Sequence, residues 1–210
     1  YSIRIIGNLS TNPDYVCEFL IEDGVIDFFN ICLNIQSNRI LKEILWTISN
    51  FFACGKNIIN KIVENEDLLK NIKGLFQNTS AMVREELFYC MGNFFSNSDV
   101  FLAKKLFDLK FDEDILNVLS QIKNPNTILM ILEIIDCISK IAFFEDISSY
   151  QFDDMENESK SKYVKVQNPL IKNFIVLGLF DILENTMSNC NNNELIARIS
   201  LLIERLKLQE

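Results

Sequence analysis

The stretch LKEILWTISNFFACG, residues 41–55, holds the only tryptophan of the 210-residue chain, Trp46, and one helical turn later an asparagine, Asn50. Leu41, Ile44, Leu45, Ile48, Phe51 and Phe52 recur at the spacing of a buried helix face. An amide in such a helix needs a reason. Two further stretches carry the same feature: IRIIGNLS at 3–10 and FYCMGNFF at 88–95. Their asparagines and Asn50, namely Asn8, Asn50 and Asn93, are separated by 42 and 43 residues, and each follows a small residue, Gly7, Ser49 or Gly92. A further step of 43 reaches Asp136 in LEIIDCISK.

That period is one repeat of an armadillo or HEAT solenoid, about 40–47 residues. Within a period the apolar spacing predicts two short helices and a long one, most clearly at 56–65, 67–78 and 80–97. The next unit repeats the scheme at 100–109, 113–122 and 127–144, with Pro125 suited to a helix start. Gly24 and Gly178 punctuate first-to-second helix turns. Three helices per period favour armadillo over HEAT. The expected fold is all-α: a right-handed superhelical armadillo solenoid of about four and a half three-helix repeats, forming one domain over 1–210. A charged, Ser-rich run at 146–168 reads as an exposed loop or insertion.

Composition narrows the function. The chain is 49% hydrophobic with only 6 Gly and 3 Pro, which excludes a disordered chain, and no apolar run reaches the ~18–20 residues of a membrane span. A formal charge of −9 repels phosphate backbones and attracts cationic partners, so neither nucleic acid nor membrane is expected as a ligand. There is no histidine, the six cysteines stand singly, and no G-x-S-x-G or phosphate-binding glycine loop occurs. The expectation is reduced thiols, no metal, no cofactor and no catalysis. The chain opens at Tyr1 without an initiator Met or leader-like segment, and is expected to be a piece of a longer protein.

In an armadillo stack the third helices line the concave groove, so a residue recurring there forms a ladder. Helical spacing groups Asn50 with Trp46 and Glu43, and Asn93 with Tyr89 and Glu86; Arg4 takes the aromatic place beside Asn8. An amide can both donate to and accept from a peptide backbone, an aromatic face takes the stem of a Lys or Arg, and a carboxylate takes its charged head. Taken singly, Trp46 reads as packing and the asparagines as turn satisfiers. Recurrence of Asn, aromatic and Glu in one register points instead to a groove for a basic peptide, while Phe51, Phe52, Phe94 and Phe95 belong to the core.

Lys42, Glu43, Trp46, Ser49 and Asn50 together resemble the K-E-x-x-W-x-x-S-N third-helix signature of the importin-α (karyopherin-α) family. Arg4, Gly7 and Asn8 are similar to the R-x-x-G-N of that family's sixth repeat, which would place this chain from the end of the sixth repeat through the tenth. LEIIDCISK and ARISLLIERL resemble the ninth- and final-repeat helices. The resemblance implies a nuclear import adaptor that shuttles between cytoplasm and nucleus and binds basic nuclear localisation signal peptides at the minor, C-terminal site. Arg4, Asn8, Glu43, Trp46, Ser49, Asn50, Glu86, Tyr89 and Asn93 would be its contacts. It also implies importin-β as a partner, through an N-terminal segment outside this sequence, and an export receptor at the last repeats. Tyr89 stands where the family has Trp, so its wall of the pocket has less area. The alternative is an armadillo scaffold that holds a different protein partner.

Overall fold

A computed structural model describes residues 1–141, 144–146, 163–165 and 168–208. Its helices, in chain order, are α1 Ser2–Leu9, α2 Asp14–Glu22, α3 Val25–Leu33, α4 Asn38–Phe52, α5 Lys56–Val63, α6 Glu66–Gly74, α7 Ala81–Asn97, α8 Val100–Asp108, α9 Phe111–Gln121, α10 Pro125–Lys140, α11 Pro169–Val176, α12 Leu179–Ser188 and α13 Asn193–Lys207. They fall into one leading third helix, α1, and four units of short, short, long. The long helices α1, α4, α7, α10 and α13 stack side by side, the second helices α3 and α6 meet, and α2, α5 and α8 form the outer row. Like thus packs on like, and a single apolar cluster runs from Cys17 to Leu206. Phe51, Phe52, Phe94 and Phe95 lie in it, fully buried as anticipated.

Local chemistry sets the element ends. Asn65, Asp99, Asn124, Asn168 and Asn192 each accept a backbone N–H as helix N-caps, and Pro125 and Pro169 begin the helices they precede. Gly24 and Gly178 turn first helix into second with φ of +87° and +91°, a left-handed conformation that costs glycine little. The third unit makes the same turn with Lys110 at φ +62°. Lys110→Gly should therefore raise the unfolding free energy by about 1 kcal/mol, set against loss of its exposed ion pair with Glu113. Chemical denaturation of the two proteins checks it.

Two expectations need correction. The long helix predicted to continue to residue 144 ends at Lys140, and Phe144–Asp146 form β1, antiparallel to β2, Tyr163–Lys165, with Glu145 opposite Val164. The expected loop at 146–168 also loses both ends: β2 is paired, and Asn168 is buried. Asn168 Nδ2 donates to the carbonyls of Ile138 (2.7 Å) and Ile141 (3.2 Å), capping α10, while its oxygen caps α11. The rest of that run, 147–162 and 166–167, lies outside the described residues.

Candidate functional site

The nine candidate residues lie on α1, α4 and α7, where third helices of successive units meet. Asn50 Nδ2 donates to the Gly7 carbonyl in the last turn of α1 at 3.0 Å, a turn whose carbonyls lack a helical partner. Asn93 repeats the move one unit on, donating to the Ser49 carbonyl at 3.2 Å and to Ser49 Oγ at 2.8 Å. The asparagines are thus mortar between repeats. An amide has two N–H groups and an oxygen; Asn50 donates once to the preceding repeat, whereas Asn93 donates to both Ser49 oxygens. Asn8, on the leading helix, is exposed.

Trp46 is half-buried on α4. A Cβ built on Gly7 would stand 2.3 Å from Trp46 Cζ3 and 2.8 Å from Thr47 Oγ1. The indole therefore lies directly on the α1 backbone, and glycine is what admits it. Thr47, fully buried, donates to the Glu43 carbonyl of its own helix at 2.9 Å and, more weakly, across the seam to that of Ile3 at 3.3 Å. Gly7→Ala should lower the unfolding free energy by about 1 kcal/mol or more: overpacking costs roughly 1–3 kcal/mol and outweighs the better helix propensity of Ala. Thermal melts and the emission of Trp46 read both the loss and the displaced ring.

The rim differs from its expected arrangement. Glu43 was to take a ligand's cation, yet both its oxygens are held by Arg4: Nε donates to Oε2 at 2.9 Å and Nη2 to Oε1 at 2.6 Å. A guanidinium matches a carboxylate in this two-bonded way better than a flexible ammonium does. Ser49, expected as a contact, is buried and its hydroxyl accepts from Asn93. Tyr89, 58% exposed, stands out from α7 as an open aromatic wall. Glu86 is half-buried, and burial, reinforced by Glu43 and Glu85 and opposed by Lys42, pushes its carboxyl above the ordinary value. It is a carboxylate held at a cost, which an arriving cation would relieve.

Beside Gly7, which the sequence pattern marks as the small residue before Asn8, the seam contains two residues that the pattern does not single out, Thr47 and Cys54. Thr47 and Gly7 set the depth of Trp46, and Cys54, one turn after Asn50, donates to the Asn50 carbonyl at 3.4 Å. Cys54 Sγ lies 3.3 Å from Cys17 Sγ of α2; burial and that neighbour push the Cys17 thiol up to about 12. Among the described residues no three His, Cys, Asp or Glu gather as a metal site.

Neither a protein-family model nor a curated protein sequence matches this chain. Solved structures do. A designed armadillo-repeat protein in complex with the peptide (KR)4 superposes with a TM-score of 0.74 at 18% identity, covering 97% of this chain and 73% of the other. The fold is that of armadillo-repeat proteins. An engineered protein gives 0.72 at 13% identity over 98% of this chain and 73% of its own. A computationally designed armadillo protein for modular peptide recognition gives 0.69 at 16%, over 96% and 72%. At these identities the likeness is one of fold.

Proposed function

We propose that the chain is a non-catalytic peptide-binding armadillo module whose groove along α1, α4 and α7 holds an extended basic peptide, and that it serves as a nuclear import adaptor. The observation that carries this reading is the repeated amide. Asn50 and Asn93 both donate to the preceding repeat, Asn50 once and Asn93 to both Ser49 oxygens, which anchors the two amides at the repeat spacing and leaves their oxygens for a ligand. Such preorganised groups can pair with peptide backbone whatever its side chains. Between these rungs Trp46 and Tyr89 offer faces to a Lys or Arg stem, and Glu86 offers a carboxylate already destabilised by burial. A net charge of −9 draws in a basic partner.

The finer reading rests on the importin-α-like motif of residues 42–50 and on Arg4 with Gly7 and Asn8. As an adaptor it would hand its cargo to importin-β, be recovered by an export receptor, and move between cytoplasm and nucleus. A Lys/Arg-rich localisation-signal peptide titrated against the protein should bind with an affinity that falls as salt rises from about 0.05 to 0.15 M. An uncharged peptide or an amphipathic helix binding in its place would favour an armadillo scaffold for another partner.

Glu86 adds a pH signature. Its carboxyl titrates above the usual glutamate range, so its charge, and with it the attraction for a peptide cation, is lost as pH falls through that raised value. Basic-peptide affinity should weaken on mild acidification before ordinary carboxylates titrate, and Glu86→Gln should bind more weakly at neutral pH and lack that inflection.

A further inference from the structure

Along the groove the chemistry changes at α10. The register occupied by Trp46 and Tyr89 continues there as Leu132, and that of Asn50 and Asn93 as Asp136. Asp136 cannot donate a hydrogen bond when ionised, and its carboxylate is held by Lys140 and by Arg205 of α13, so it is neutralised within the fold. Beside that ion pair α10 and α13 flank a cleft of about 60 Å³ lined by Leu129, Leu132, Leu201 and Leu202 and, on its polar side, by Glu133, Asp136, Arg198 and Arg205. Leu132 and Leu202 are 5% exposed and form its floor, whereas Leu201 stands 54% exposed at its mouth. Leu129, Leu132 and Asp136 lie on one helical face, as do Leu201 and Arg205, and through Leu132 and Asp136 that face is the one that carries Trp46 and Asn50. On α7, no atom comes within 4 Å of a Cβ built on Gly92, so this step of the groove is open where the equivalent step at Gly7 is filled by an indole.

We propose that this cleft receives an aliphatic side chain of the same peptide whose cation sits between Trp46 and Tyr89. The inference rests on the peptide-binding reading above and names a second specificity element within it. Continuity of the third-helix face makes the peptide the occupant: a chain lying along α4 and α7 meets α10 and α13 next. The two carboxylates of the lining, Glu133 and Asp136, are matched by two guanidiniums, Arg198 and Arg205, so the cleft has no net charge to draw a cation, and the exposed Leu201 gives a reason for an apolar group. Reach sets the spacing. Two steps of helix packing at 8–10 Å span ~16–20 Å, or about five or six extended residues at ~3.3 Å each, and somewhat fewer on the concave side where the helices converge. The aliphatic residue therefore stands about four to six positions from the seated cation.

The test is a set of labelled peptides, each with a central Lys-Arg pair in a Gly/Ser background, carrying one Leu scanned three to seven positions to either side, with Ser at the same place as reference. Fluorescence anisotropy should show about five- to tenfold tighter binding for Leu at one spacing of four to six, on one side only. Leu201→Ser should remove that gain and leave the reference peptide's affinity unchanged; Trp46→Ala should weaken both. Reference binding with no Leu-dependent gain, a gain equal at every spacing, or a gain that survives Leu201→Ser overturns this inference and leaves the groove reading standing. No binding of any peptide overturns both.

Discussion

Phe94→Ala should lower the unfolding free energy by about 3–5 kcal/mol, most of the stability of an ordinary domain. Phe94 is fully buried on α7, with its ring edge-on to Phe52 of α4 at 5.1 Å and to Phe95 at 5.0 Å. It fills the seam between the first and second full units, where α4 packs along α7. A repeat buries its faces only against its neighbours, so a cavity at this seam weakens the coupling of those two units as well as the local packing. Urea unfolding followed by helical signal should show a lower midpoint and a broader transition. Phe101→Ala is the control: that ring is 64% exposed under Lys105 Nζ at 5.2 Å, and its loss should cost no more than about 0.5 kcal/mol.

The second large effect is on binding. Trp46→Ala with Asn50→Ala should reduce affinity for a basic peptide by about ten- to a hundredfold, since one aromatic face and one backbone-pairing amide contribute roughly 1–3 kcal/mol together. Each residue also serves the fold, Trp46 against Gly7 and Asn50 through the Gly7 carbonyl. A stability loss of about 1–3 kcal/mol should accompany the change. The two effects separate at a temperature where both proteins are folded: the double variant keeps its helical signal there and fails to bind. Asn8→Ala, at an exposed residue of the leading helix, should affect binding without the stability loss.

The recurrence of Asn8, Asn50 and Asn93 was enough to read the repeat, because a solenoid copies its packing at every step. Element ends were less legible. The end of α10 and the burial of Asn168 depend on a bond from Asn168 back to Ile138 across 30 residues, a pairing that no local spacing encodes. The same limit governs the site. Helical geometry grouped Glu43, Trp46 and Asn50 on one face, yet it could not tell that Arg4, 39 residues away, would occupy Glu43, or that Asn50 would spend an N–H on Gly7. Those facts follow from how far each repeat is shifted along its neighbour. Arg205 was invisible for a related reason: the run after α10 breaks the period, so α13 could not be placed in register with Asp136. The small residue before each asparagine was the available clue to the seam, and Gly7 shows its physical meaning as the seat for Trp46.

The central claim is that a basic peptide lies across the face shared by Trp46 and Asn50. Because Trp46 is the only tryptophan, its emission reports that face directly. Titration with a Lys/Arg-rich peptide should give a saturable change in Trp46 emission that is reversed by salt and reduced about tenfold in affinity by Asn50→Ala. Emission that stays constant while the peptide binds elsewhere, or binding indifferent to Asn50→Ala, would contradict the account.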